Sequence, residues 1–138
     1  MRACKYVPKT STMSVVDPHV VAARWCAQWN AHDLDGLLAH FTDEVIFTSP
    51  VAARVLGGDG VVRGKEALRA YWRLGLQKIP DLRFEIIDVY SGVDTVVINY
   101  RNQLGSRVCE ALTFADDGLV REGHATYLSG SNPEGASI

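Results

Sequence analysis

The chain has 138 residues, of which 47% are hydrophobic and 22% charged, and its formal net charge is −2. This length and composition are typical of one soluble globular domain that needs no disulfide or metal to fold. The small net charge argues against nucleic acid or an anionic membrane surface as a partner. No apolar run approaches the roughly 20 residues that cross a bilayer.

The cysteines and the N-terminal segment favour a reducing, cytoplasmic location. Cys4, Cys26 and Cys109 are odd in number and lack CxxC or Cys/His spacing, so neither a disulfide framework nor a zinc site is expected. Residues 1–16 lack a continuous apolar core and a cleavage site, so we predict a flexible arm, in which Met13 could be an alternative start. No motif indicates another metal or a cofactor, and we expect none.

The first predicted helix begins at the pair Asp17-Pro18, because aspartate caps free N–H groups and proline fits the first helical position. It runs to about Asn30. Trp25 and Trp29 are four residues apart and therefore share one face of this helix.

Three more elements are predicted before residue 80. Asp33 caps a short amphipathic helix with apolar positions at Leu34, Leu37, Leu38 and Phe41. The strand "EVIFTSP" stops at Pro50, and the glycine-rich residues 51–64 are predicted to form a loop that borders the mouth of a ligand site. A third helix begins near Lys65 and ends before Pro80.

The second half of the chain alternates with period two. Four extended segments follow one another, "LRFEIIDVY", "DTVVINYRNQ", "SRVCEALTF" and "LVREGHATYL", separated by short turns. Helices first and strands second predict an α+β fold over residues 17–128, with a flexible tail over residues 129–138.

Several stretches resemble the SnoaL-like branch of the nuclear transport factor 2-like superfamily. They are "WNAHDLDGLLAHFTDEVIFTSP", "GKEALRAYW", "PDLRFEI" and "DDGLVREGHATY". The resemblance implies three N-terminal helices packed on the concave face of a curved, mainly antiparallel sheet, a cystatin-like cone. This fold hosts isomerases, polyketide cyclases, epoxide hydrolases, dehydratases and binding domains, so the resemblance implies a small ligand in the cone but no single reaction.

The ketosteroid isomerase branch of the superfamily allows a comparison of individual positions. Its catalytic aspartate corresponds to Ser49, and its oxyanion-hole tyrosine to Trp25. The two tyrosines that support the oxyanion hole correspond to Phe41 and Trp72. Ketosteroid isomerisation by that mechanism is therefore not expected. The protonated aspartate of that oxyanion hole corresponds here to Glu110.

Glu110 is also singled out by its own strand, "VCEALTF". Alternation places it on one face with Val108, Leu112 and Phe114, which is the more apolar face. A core-facing glutamate requires a partner, a raised pKa or a cavity. Pairing about the turn "ADDG" sets Glu110 opposite Gly123, with Arg121 diagonal to Glu110 on the same face.

That register leaves two interpretations of Glu110 open. It could form a buried ion pair with Arg121 that fixes the sheet. Alternatively it is an acid/base that faces a small apolar pocket, for which Gly123 leaves room. The predicted pocket walls, which could equally be ordinary core, are Trp25, Trp29, Tyr71 and Tyr127, with Ser49 and Arg121 as polar contacts.

Two functions follow from these interpretations. The first is an enzyme that performs proton transfer, cyclisation, isomerisation or water addition/elimination on a small hydrophobic molecule, with Glu110 as acid/base beside Trp25 or Trp29. The second is a non-catalytic ligand-binding domain in which Glu110 and Arg121 orient a polar group. We also predict a homodimer through the outer sheet face, which carries Val97, Asn99, Arg101, Cys109, Ala111, Thr113, His124 and Thr126.

Overall fold

The computed structural model describes residues 16–130 of the chain. The predicted arm over residues 1–16 and tail over residues 129–138 lie almost entirely outside this range. The elements, in chain order, are α1 (Pro18–Asn30), α2 (Leu34–Leu38), β1 (Phe41–Thr48), α3 (Pro50–Leu56), β2 (Val61–Arg63), α4 (Lys65–Lys78), β3 (Glu85–Gly92), β4 (Thr95–Arg101), β5 (Arg107–Phe114) and β6 (Val120–Tyr127). None of the helices within residues 16–130 is long and apolar enough to cross a membrane.

The first helix has the predicted bounds, because its cap forms as the sequence indicates. The Asp17 carboxylate accepts hydrogen bonds from the backbone N–H groups of His19 and Val20, at 3.0 and 3.3 Å. Its buried face, which includes Trp25 and Trp29, packs into the core.

The segment after β1 differs from the prediction. Residues 51–64 were expected to form a loop, but they contain most of α3 and all of β2, so residues 16–130 form four helices rather than three. Ser49 caps α3, since its Oγ accepts hydrogen bonds from Val51 N at 3.1 Å and Ala52 N at 3.4 Å. The pair Ser49-Pro50 is thus a helix start of the same kind as the pair that opens α1, whereas the prediction used Pro50 only as the end of a strand.

The six strands form one sheet in the order β2-β1-β6-β5-β4-β3. All neighbouring pairs are antiparallel except β1 and β6, which are parallel and place Thr48 beside His124. The sheet is therefore mainly antiparallel, as predicted, and the last strand of the chain lies near its middle.

The hydrophobic core lies between the helices and one face of the sheet. Six residues at alternating, inward-facing positions of the predicted extended segments are all buried, as alternation requires: Leu82, Phe84, Val96, Ile98, Leu112 and Phe114. The aromatic rings of this core contact one another, for example Trp29 with Trp72 at 4.9 Å and Phe84 with Tyr100 at 4.4 Å between ring centroids.

The pairing of β5 with β6 contains an irregularity that the sequence did not reveal. Phe114 pairs with Val120 while Thr113 pairs with Glu122, so Arg121 is an extra residue between two paired positions. Such a bulge changes the register of everything beyond it. Glu110 pairs with Ala125, not with Gly123 as predicted, because two shifts of one residue add up: the turn places Phe114 beside Val120 and not beside Leu119, and the bulge adds the second residue.

Candidate functional site

Glu110 lies in the middle of β5, deep in the interior. Its neighbours across the sheet are Ile98 on β4 and Ala125 on β6, both buried. Only 5% of the Glu110 surface is exposed. The sequence therefore located this residue correctly on the core-facing side of its strand.

The carboxyl group of Glu110 is unpartnered. Among residues 16–130, no group forms a hydrogen bond or an ion pair with it. Burial raises its pKa from 4.5 to about 8, because removal from water disfavours the charged form. Glu110 is therefore mostly a neutral acid near pH 7 and can both give up and recover a proton near neutrality.

The predicted ion pair between Glu110 and Arg121 is wrong. The Arg121 side chain is half-exposed, and its guanidinium lies 3.7 Å from the carboxylate of Glu122. Arg121 is the extra residue of the β5–β6 bulge, so the simple alternation that placed it diagonal to Glu110 does not hold there. The structure thus does not bring Arg121 into the predicted site.

Gly123 does not provide the predicted room for a ligand. It pairs with Leu112, and a Cβ atom added to it would lie 3.4 Å from both Leu112 Cδ2 and Phe47 Cδ1. The space above Gly123 is therefore filled by core side chains. The small residue that faces Glu110 is Ala125.

Tyr71 on α4 is the second polar group of this interior region. It is 2% exposed, its ring centroid lies 6.4 Å from that of Phe47, and within the described residues its hydroxyl has no hydrogen-bond partner. Burial raises the pKa of Tyr71 to about 12 and Glu110 adds to this, whereas Arg54 and the nearby Ser49 side chain, which approaches the phenol without good hydrogen-bond geometry, lower it. Tyr71, a predicted wall residue, is therefore close enough to Glu110 to respond to its charge.

Tyr100 is a neighbour of Glu110 that the prediction missed. It is buried on β4, two residues beyond the inward-facing Ile98 and therefore on the same face. Burial raises the pKa of Tyr100 well above its usual range, and the charge of Glu110 acts in the same direction. Strand alternation could have predicted this position, because Val96, Ile98 and Tyr100 share one face of "VVINY".

The two tryptophans of α1 lie deeper in the aromatic core. Trp25 contacts Tyr100 at 5.1 Å between ring centroids, and Trp29 packs against Trp72. Trp25 Nε1 has no hydrogen-bond partner among the described residues and, with Gln28, lines a cavity of about 10 Å³. That volume is about enough for one water molecule.

The remaining predicted contacts lie at the edge of this region. Ser49 is 3% exposed, and its oxygen is already used as the cap of α3, although its hydrogen remains available for donation. Tyr127 is half-buried at the end of β6 and pairs with Val108.

Together these groups form a small acid/base constellation. A neutral carboxyl group and one unpartnered phenol supply two O–H donors in an apolar interior, where hydrogen bonds to a ligand oxygen are strong. No group of three or more His, Cys, Asp or Glu side chains in the described part of the chain could hold a metal ion.

Comparisons with known proteins agree with this architecture. The sequence profile of the SnoaL-like domain matches residues 22–123. A SnoaL-like protein of unknown function from Burkholderia thailandensis is 40% identical, with 81% of this chain and 95% of that chain covered and a TM-score of 0.78. No curated protein matches significantly.

More distant structures include enzymes. AclR, a proposed hydroxylase from Streptomyces galilaeus, is 20% identical over 82% of this chain and 90% of its own, with a TM-score of 0.64. SalBIII, an epoxide hydrolase/cyclase-like enzyme of pyran ring formation in the polyether salinomycin, is 18% identical over 81% and 91%, with a TM-score of 0.62. At these identities the likeness shows the fold, which is the cystatin-like fold of the nuclear transport factor 2-like proteins. The chain belongs to the SnoaL-like domain family.

Proposed function

We propose that this SnoaL-like domain binds a small hydrophobic, carbonyl-bearing or cyclic molecule and catalyses a proton-transfer reaction on it, with Glu110 as acid/base. The reaction class comprises cyclisation, isomerisation and water addition or elimination. One observation carries the proposal: Glu110 is a buried carboxyl group without a partner in the described part of the chain, and its pKa is raised to about 8. A carboxyl group kept in this state costs stability, and such groups cluster at functional sites.

Tyr71 supports the same proposal from another element. Its buried hydroxyl has no partner among residues 16–130, so a ligand oxygen could accept its hydrogen bond. Such a donor, beside a protonated Glu110, would stabilise negative charge that develops on a carbonyl or epoxide oxygen. Two structural relatives, AclR and SalBIII, are described as enzymes and have the same fold, which is consistent with chemistry in this region.

The alternative is a binding domain without catalysis. In that alternative Glu110 and Arg121 together orient a polar group of the ligand, but Arg121 is half-exposed and pairs with Glu122 instead. An ionisable group that only orients a ligand has no need of a pKa near neutrality. The acid/base function is therefore the better supported of the two.

The test uses Glu110→Gln, which keeps the shape of the side chain but removes proton transfer. A thermal-shift screen of small polyketides, terpenes, epoxides and aromatic ketones first identifies ligands of the wild-type protein. We expect the variant to bind the same ligands and to convert them at least about 100-fold more slowly, the lower end of typical acid/base contributions. Glu122→Gln, at a half-exposed position of the neighbouring strand, is the matched control and should keep full turnover. Full activity of Glu110→Gln would refute the proposal, and ligands that bind but are never converted would favour the binding domain.

A further inference from the structure

A pocket that Glu110 does not line lies at the edge of the sheet. It lies at the ends of β4, β5 and β6 and has a volume of about 170 Å³. Cys109, which lines it, is adjacent in the chain to Glu110 and therefore faces the other way. The pocket is lined by Asn99, Arg107, Val108, Cys109, Thr126, Tyr127 and Leu128.

Asn99 is the polar residue of this pocket whose side chain has no hydrogen-bond partner among residues 16–130. It is 7% exposed and is held between Asp88 on β3 and Cys109 on β5. Because Asn99 lines the pocket, its amide is available to hydrogen-bond to an occupant.

Arg107 supplies positive charge at the same pocket. Its guanidinium forms no ion pair with any residue of the described part of the chain. The neighbouring Arg101 is directly opposite Arg107 in the sheet but is engaged by Glu85 at 3.4 Å. Two guanidinium groups side by side, only one of them neutralised, favour an anion, and arginine suits the two oxygens of a carboxylate.

The other walls limit what that anion can be. Val108 and Leu128 are apolar, and Leu128 is 61% exposed although it lines the pocket. The hydroxyl of Thr126 already donates to the backbone oxygen of Cys109 at 2.8 Å. One unneutralised cation, one amide and an apolar wall match a singly charged organic acid better than a phosphate, which would carry about two charges.

We propose that this pocket binds a small organic monocarboxylate, whose carboxylate accepts hydrogen bonds from the Arg107 guanidinium and the Asn99 amide and whose short apolar group covers Leu128. The site is independent of the acid/base function, because neither Glu110 nor Tyr71 lines it. It gives the domain a second ligand of a different chemical class.

The test is a titration of the ¹⁵N-labelled full chain with propionate and, separately, with the uncharged analogue propionamide, followed by NMR. We expect propionate to shift the Asn99 side-chain NH₂ signals in a saturable way and propionamide to leave them unchanged. Arg107→Gln should weaken propionate binding at least about tenfold, the effect of losing one charge-assisted hydrogen bond. Arg101→Gln is the matched control, since it removes a neighbouring guanidinium that does not line the pocket, and it should bind propionate as the wild type does.

Three outcomes would overturn the proposal. The first is the absence of propionate-dependent shifts at Asn99, or equal shifts with propionamide. The second is loss of these shifts in Glu110→Gln, which would place the acid in the interior site. The third is unchanged propionate binding by Arg107→Gln, which would show that the Arg107 guanidinium does not hold the carboxylate.

Discussion

Glu110 on β5 acts across the interior on Tyr71 of α4, whose pKa its charge raises. Each is buried, and neither polar group has a hydrogen-bond partner in the described part of the chain. Proteins seldom leave two such groups together in a core, because each costs stability without a compensating interaction. The pair is therefore best understood as a site prepared for a ligand.

The first prediction concerns pH. The pKa of Glu110 is about 8 in the folded protein and 4.5 in the reference state, so the folded state binds the proton more tightly. The free energy of unfolding should therefore fall as pH rises from about 4.5 to about 8, by up to several kcal/mol, and level off above that range. Urea denaturation at intervals between these pH values measures it.

The variant Glu110→Gln isolates this contribution. Because it has no proton to lose, its stability should decline less with pH over the same interval. Glu122→Gln, which keeps Glu110, should follow the wild type. Parallel curves for wild type and Glu110→Gln would contradict the raised pKa.

The second prediction is that Tyr71→Phe weakens ligand binding without lowering the free energy of unfolding. The change removes a buried hydroxyl that has no partner, so the free energy of unfolding should stay the same or rise by about 1 kcal/mol. Ligands found in the thermal-shift screen should bind about tenfold more weakly if their oxygen accepts from Tyr71. Tyr90→Phe, at an exposed position, should change neither quantity. A large loss of stability in Tyr71→Phe would show that the hydroxyl has a structural partner.

The third prediction tests the helix that the sequence analysis missed. Ser49→Ala removes the oxygen that accepts from the first N–H groups of α3, so it should lower the free energy of unfolding by about 1 kcal/mol. Chemical denaturation measures the loss, with Ser91→Ala, at an exposed position in β3, as the control. Equal stability of Ser49→Ala and wild type would mean that the cap contributes nothing.

The fourth prediction is the homodimer through the outer sheet face. Val97, Ala111 and His124 lie in one row across β4, β5 and β6 and are all half-buried. His124 is already engaged by Thr48, 2.6 Å from its ring nitrogen, so a second copy could cover this row without stranding that polar group. We expect a dimer at micromolar concentration in light scattering and a monomer for Ala111→Glu. Ala67→Glu, on an exposed helix position, should leave the dimer intact, and a monomeric wild type would refute the prediction.

Local signals in the sequence predicted most of the fold. Asp17-Pro18 gave the start of α1, and strand alternation gave the inward face that contains Glu110, because both depend on neighbouring residues only. The same kind of signal at Ser49-Pro50 was present but was interpreted as the end of a strand.

The parts that could not be predicted depend on contacts between distant residues. The bulge at Arg121 adds one residue to one strand, and alternation cannot reveal it because it exists only relative to the partner strand. The proximity of Tyr71 to Glu110 likewise depends on how α4 packs over the sheet. The polar constellation of the site thus required the three-dimensional structure, although its central residue did not.

The parallel pairing of β1 with β6 has a consequence for how the chain reaches this fold. Apart from the short strand β2, the neighbour of β1 is the last strand, and Thr48 meets His124 across a separation of 76 residues. Contacts between such distant segments form slowly, because the entropy cost of closing a long loop must be met before the contacts can stabilise the fold. During synthesis, the helices and first strand must therefore wait for β6 to emerge from the ribosome. We expect a chain that ends before Val120 to remain unfolded as a whole rather than to form a stable half-domain.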